Sequence, residues 1–299
     1  MGRILLWIKA MRASFFSASL IPVMVGAALA SRVTRLHWGT MVLSLLVVLG
    51  NHAGANMIND YYDALGSDAI NQNVTPFSGG SHIIQQGLLP RNAFLHGTLL
   101  AYSIGLGIAT GLTCYYGELL ILVISLAGAL LGLAYSVSCC YGMGRGWGEL
   151  AVGIAFGPLA VMGSFLVQTG FLISEAFWAG VPVGFLIIGV LVLNQFPDRE
   201  ADGQVGKQNW IVRAGARRGV WIYLALISLA YLTIFIGVVV NLFPVKILFA
   251  YTTIPLAVWI VLETRRYYDK APELVPALAG NIGLHLLTGL CMIVGLWWR

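Results

Sequence analysis

Two acidic runs stand out in a chain that otherwise carries little charge. The first, NMINDYYDALGSD, holds Asn56, Asn59, Asp60 and Asp63, with Asp68 following. At about 100° per residue, those first four fall within roughly a 100° arc of one helix face. The second, LNQFPDREADGQVGK, places Asn194, Asp198 and Asp202 four residues apart, an arc of about 80° if the helix is continuous. Pro197 interrupts it: proline removes a backbone donor and restricts Phe196, so the sequence predicts a kink or a helix end where the acids begin. Asp carboxylates supplemented by Asn carbonyls are hard oxygen ligands suited to Mg²⁺, which keeps several waters and shares its coordination with phosphate oxygens. The chemistry on offer is therefore a grip on a diphosphate.

A diphosphate also calls for cations. Lys207 follows closely on the second acidic run, and Arg91, Arg145, Arg213, Arg217, Arg218 and a protonated His82 are further candidates. Arg217, Arg218, Arg265 and Arg266 read more simply as topology determinants touching anionic lipid. Tyr61, Tyr62, Phe77 and Tyr135 supply aromatic faces near these runs, of the kind that shields a carbocation.

These residues must be positioned within a membrane. Of 299 residues, 59 % are hydrophobic with Tyr counted and Gly left out; exchanging Tyr for Gly brings the share to about 67 %, against ~45–50 % in soluble domains. Nine stretches are apolar over about the ~20 residues a spanning helix needs: 13–31, 38–59, 93–116, 119–138, 148–169, 176–196, 219–243, 245–262 and 275–297. The expected fold is thus all-α, a polytopic membrane protein of nine helices in one unit over residues 1–299. Gly50 and Gly54, Gly107 and Gly111, and Gly128 and Gly132 stand four apart within spans, a spacing that lets helices approach closely. Asn59 and Asn194 each precede an Asp pair after an even-numbered span, which points to a repeat of 38–169 in 176–297.

The longest connections, near 60–92 and 197–218, hold most of the polar residues. On the N-terminal side of the nine spans lie 13 Lys and Arg, against 4 on the other. This bias predicts an inner-membrane protein with its N-terminus and both polar loops cytoplasmic and its C-terminus outside. Basic residues ahead of an apolar run ending Ala28-Leu29-Ala30 also mimic a signal peptide, but the run exceeds the ~7–15 residues of a signal core. The net charge of +5 flanks the apolar runs and fits lipid headgroups rather than nucleic acid. Cys114, Cys139, Cys140 and Cys291 show no C-x-x-C spacing, and the GMGRGWG run lacks the preceding strand of a dinucleotide loop.

NMINDYYD and NQFPDREAD resemble the two Asp-rich motifs of the UbiA superfamily of intramembrane prenyltransferases. The segment YSVSCCYGMGRGWGELAVGIAFGPLAVMGSFLVQTG is similar to the region after the fourth span of its 1,4-dihydroxy-2-naphthoate branch, and IPVMVGAALA and GNIGLHLLTGL are similar as well. The branch often has Arg where this chain has Pro197. The resemblance implies nine helices around a lipid-open cavity, Mg²⁺ as cofactor, a polyprenyl diphosphate donor and an aromatic acceptor. It implies that Asn56, Asp60, Asp63, Asn194, Asp198 and Asp202 hold the ion and that Lys207, and also His82, touch diphosphate. Asn59, Arg145, Tyr62 and Tyr135 complete the expected substrate contacts. In the naphthoate branch the ring also loses its carboxyl group, giving demethylmenaquinone. Acceptors such as 4-hydroxybenzoate or homogentisate stay open, as does an ion-coupled carrier without chemistry.

Overall fold

A computed structural model of the protein describes residues 2–141 and 146–298, the side chains of 138–141 apart. Arg145, Cys139, Cys140 and most of the GMGRGWG run therefore lie outside the described residues or side chains. Among the described residues the chain is helical without a β-strand, and nine helical segments are long and apolar enough to cross a membrane.

The first helix, α1 (Arg3–Ala10), is short. It buries Leu6 and Ala10 and leaves Ile4, Leu5 and Ile8 exposed beside Arg3 and Lys9, the pattern of a helix lying in the membrane interface. The spans follow as α2 (Ser17–Ala30), α3 (Trp38–Asp63), then, beyond the short α4 (Ser67–Ile70), α5 (Arg91–Tyr116) and α6 (Leu120–Tyr141). The fifth span is built from α7 (Gly148–Ile154), a wider π turn at Ala155–Leu159 that contains Pro158, and α8 (Ala160–Thr169). The remainder are α9 (Ser174–Gln204), the short α10 (Trp210–Ala214), α11 (Ala216–Val239), a tight-helical Val245–Thr253 continuing into α12 (Ile254–Tyr267), and α13 (Ala271–Trp297). Outward-facing Leu99, Ile104, Leu130, Trp221, Phe235 and Leu262 are exposed; in a bilayer such side chains meet lipid rather than water.

The two helices that matter most run past the apolar stretches read from the sequence. Helix α3 continues past the apolar stretch to Asp63, as the helical spacing of Asn56, Asn59, Asp60 and Asp63 predicts, whereas α9 runs for 31 residues to Gln204 instead of ending near 196. At ~1.5 Å per residue α9 is about 46 Å long, more than the ~30 Å hydrocarbon core. Pro197 neither ends nor interrupts it: it is buried inside the helix, where packing against α7, α11 and α13 outweighs one missing backbone bond.

The glycine pairs divide. A Cβ on Gly50 would fall 2.8 Å from the Ala101 carbonyl oxygen and one on Gly54 2.9 Å from the Tyr102 ring, so α3 and α5 need both to approach. Gly107 and Gly111 face open space and do not serve close packing. Ala28 and Ala30, which mimic a cleavage site, are fully buried in the apolar cluster that α2 forms with α8 and α13.

Candidate active site

A large cavity lies between α3, α5, α6, the α7–α8 span and α9, with an empty volume of about 2060 Å³ counted out into the open space at its mouth. Its deep part is apolar, lined by Val47, Ala109, Leu112, Ile121, Ile124 and Val167. Its other end is acidic. Asp60, Asp63, Asp68 and Asp202 are all buried, and Asp198 is partly so.

The helical registers explain why the acids gather. Asn56, Asn59, Asp60 and Asp63 share one face of the last turns of α3, and continuity of α9 through Pro197 keeps Asn194, Asp198 and Asp202 on one face. Asn56, Asn59, Asp63, Asn194, Asp198 and Asp202 line the cavity. The two sets meet at Lys207, whose Nζ lies 2.9 Å from Asp63 Oδ2 and 3.1 Å from Asp202 Oδ1 and donates to Ser67 Oγ at 2.8 Å. Carboxylates separated by 139 positions in sequence thus share one ammonium group. Asn209 Nδ2 donates to the other oxygen of Asp202 at 2.8 Å.

The connection between α4 and α5 covers the group with two backbone amides and one side-chain amide. The Gly79 N–H donates to Asp198 Oδ2 at 3.1 Å and the Ser81 N–H to Asp60 Oδ2 at 3.1 Å, while Asn71 Nδ2 donates to Asp198 Oδ1 at 2.7 Å. Gly79 and Gly80 have φ of 77° and 78°, and His82 has φ 56°. Glycine reaches such values without a Cβ clash. For His82 they are uncommon, and its Nε2 is buried without a partner. Burial lowers the His82 pKa from its usual value, with Asp60 opposing the shift.

Arg12, whose part in the site sequence reasoning missed, is the second cation. It lies between α1 and α2 with φ 51°, pairs with Asp60 and donates to Asn59 Oδ1 at 3.1 Å. Asn56 Nδ2 donates to the Met11 carbonyl at 2.9 Å, fixing the same turn and leaving the Asn56 amide oxygen for another ligand. The sequence signal was slight: one basic residue just before the first span. Asp68 was legible only as a further acid in the loop. Burial first, and then neighbouring Asp63, push its pKa up to about 7.

Other candidates fall elsewhere. Tyr135 and Phe77 line the cavity. Tyr62 does not; it packs edge-on against Tyr61 with ring centroids 5.3 Å apart. Arg91 stacks over Tyr61 at 3.9 Å and donates to the Tyr61 carbonyl at 2.8 Å, so it braces the α3 terminus from outside. Arg213, Arg217 and Arg218 are exposed, and Arg199 lies 3.6 Å from Glu200 rather than on the site's acids. Glu149, absent from the expected set, is 2 % exposed on the cavity wall and accepts from Gln195 Nε2 at 3.0 Å and the Trp210 N–H at 2.8 Å. It ties α7 to α9 and α10.

As placed, no three His, Cys, Asp or Glu side chains among the described residues group closely enough to hold a metal ion. The donor chemistry nevertheless fits a hard divalent ion. Five Asp carboxylates gather around the two cations Arg12 and Lys207, and the Asp63–Lys207–Asp202 bridge shows that the two motifs close on one positive charge.

Comparison with known proteins agrees with this architecture. Residues 19–287 match the family model described as "UbiA prenyltransferase family". The chain is 31 % identical to UbiA prenyltransferase domain-containing protein 1 of Gallus gallus, over 96 % of this chain and 84 % of that one. It is 26 % identical to 2-carboxy-1,4-naphthoquinone phytyltransferase of Synechocystis, over 98 % of this chain and 93 % of the relative. Its fold is similar to that of a UbiA homolog from Archaeoglobus fulgidus bound to DMAPP and Mg²⁺, with a TM-score of 0.65, 16 % identity and coverage of 96 % and 98 %. The chain belongs to the UbiA prenyltransferase family.

Proposed function

We propose that this protein transfers a polyprenyl group from polyprenyl diphosphate to an aromatic quinone precursor, with Mg²⁺ as cofactor and 1,4-dihydroxy-2-naphthoate as acceptor. The observation that carries the reading is the bridge Asp63–Lys207–Asp202, which draws two acidic motifs together at one end of a long apolar cavity. That combination suits a molecule with a multiply charged head and a hydrocarbon tail. The A. fulgidus homolog, bound to DMAPP and Mg²⁺, supports a prenyl diphosphate donor. The Synechocystis relative supports the ring, because 2-carboxy-1,4-naphthoquinone is the oxidised form of the proposed acceptor.

In this reading Asp60, Asp63, Asp198 and Asp202, with the amide oxygens of Asn56 and Asn194, hold the ion. Mg²⁺, when bound, stabilises the charge that grows on the diphosphate oxygens as the allylic C–O bond breaks. Lys207 and Arg12 exchange carboxylate partners for diphosphate oxygens and add fixed positive charge where the leaving group forms. The Gly79–Ser81 backbone keeps Asp198 and Asp60 aimed and shields the head from water that would capture the carbocation. Tyr135 and Phe77 offer π faces to that cation. The electron-rich ring then attacks the allylic carbon and its carboxylate departs as CO₂, leaving the hydroquinone form of demethylmenaquinone.

The chain acts as one unit over 1–299, with 38–169 and 176–297 as related halves, in the inner membrane with the N-terminus and acid cluster cytoplasmic and the C-terminus outside. The test is incubation of purified protein in lipid nanodiscs with labelled polyprenyl diphosphate and a panel of aromatic acceptors, with and without chelator. Chelator-sensitive prenylation of 1,4-dihydroxy-2-naphthoate is expected. Product with hydroxybenzoate or homogentisate alone overturns the acceptor, and no product with any ring overturns the enzyme reading.

A further inference from the structure

Away from the acids, the cavity wall holds one imidazole among the described residues that line it. His52 is 6 % exposed and lies on α3, four residues before Asn56. The spacing 52, 56, 59, 63 keeps it on the face that carries the first acidic motif. At ~1.5 Å per residue it stands about 6 Å from Asn56 and 12 Å from Asp60 along the helix. Its Nδ1 is hydrogen-bonded to Ser19 Oγ at 2.8 Å, and Ser19 is fully buried. Phe16 and Phe156 flank the ring, with centroids 5.3 and 4.6 Å away. Phe156 belongs to the π turn of the fifth span, and such turns recur at functional sites.

A purely structural tie between α2 and α3 needs a single ring nitrogen, and Ser19 supplies its partner. A neutral imidazole has a second nitrogen with the opposite hydrogen-bonding role, which needs a polar partner of its own when it is buried. With Nδ1 taken, Nε2 is the atom left for a polar group inside the cavity. The distance narrows what that group is. A diphosphate gripped by the acids places its ionising carbon short of His52, and a ring lying about 3–3.5 Å from that carbon, as attack requires, carries its substituents toward the imidazole.

We propose that His52, oriented by Ser19, binds the aromatic acceptor by hydrogen-bonding a ring hydroxyl through Nε2. This rests on the prenyltransferase reading and assigns the acceptor subsite within it. Ser19 is then a positioning residue, fixing ring tautomer and rotation, and Phe16 and Phe156 confine the imidazole. The ligand class is a hydroxyarene, the hydroxyl both orienting the ring and enriching the carbon that attacks.

The test separates acceptor from donor. His52→Ala should raise KM for the acceptor tenfold or more and leave KM for the diphosphate within twofold, and His52→Gln, which returns an amide near the position of Nε2, should recover acceptor KM to within about threefold. A second measurement uses binding alone, on wild-type protein loaded with a non-ionising thiolodiphosphate analogue. The wild type should hold 1,4-dihydroxy-2-naphthoate at least tenfold more tightly than 2-naphthoate, which lacks the hydroxyls, whereas His52→Ala, where it folds, should bind both alike. Equal binding of the two rings by the wild type overturns the assignment, as does an unchanged acceptor KM in His52→Ala or equal rises in both KM values. An inactive wild type with every acceptor is the separate failure of the enzyme reading.

Discussion

Lys207 Nζ stands 2.9 Å from Asp63 Oδ2, joining the residue that ends α3 to one just beyond α9. The same nitrogen reaches Asp202 at 3.1 Å. An ammonium in that position draws the motifs together and is in place for a diphosphate when an ion takes over the carboxylates. Lys207→Gln should therefore lower kcat by ~100-fold, comparable to loss of a charge partner in the transition state, while the protein still folds. Turnover assays beside thermal unfolding check this; a loss of folding with normal kcat in the surviving fraction contradicts it.

Asp60→Asn and Asp198→Asn should each reduce turnover by ~100-fold or more. The two lie on different helices and are capped by different amides of one loop, Ser81 and Gly79. Near-normal turnover in both variants removes the metal-site assignment.

Gly79→Ala isolates the contribution of that loop. A Cβ at φ 77° costs ~1–2 kcal/mol in place and displaces the N–H that reaches Asp198. Activity should fall by about tenfold with expression retained; an unchanged kcat/KM shows that the loop is only a connection.

The spans and acidic faces were legible because both are periodic: apolar runs of about 20 residues, and amides and acids at helical intervals. What eluded the sequence lies in tertiary context. Arg12 reaches Asp60 only because the chain turns left-handed between α1 and α2, and the Gly79 and Ser81 amides that bind the acids have no side-chain signature. Pro197 predicts an interruption that packing of α9 overrides, and Tyr62 sits beside the motif but turns to Tyr61 instead of the cavity.

Asp68 gives the site a pH dependence when no ion is bound. Its carboxyl is pushed up to about 7 in the folded protein, against ~3.9 when unfolded. Between these values the folded state keeps a proton that the unfolded state has lost, so stability falls as pH rises through that window and is level above it. In chelator, the stability difference between wild type and Asp68→Asn should change across pH 4–7, on the order of a few kcal/mol, and level off above. Thermal unfolding read at intervals of pH checks this; parallel profiles for the two proteins contradict it.

Arg265 and Arg266 are exposed at the end of α12 and lie off the cavity. Their alanine variants should keep kcat/KM within about twofold while lowering membrane insertion or expression. A tenfold loss in kcat/KM with normal insertion contradicts the assignment.

In the proposed site two acidic motifs close on one divalent ion and, through it, on a diphosphate. Calorimetric binding of a prenyl thiolodiphosphate to protein in nanodiscs tests this closure most directly, with Mg²⁺ present or chelated. Binding should require Mg²⁺ and be lost in Asp63→Asn and in Asp202→Asn alike. Binding that survives chelation, or that depends on one motif and ignores the other, contradicts it.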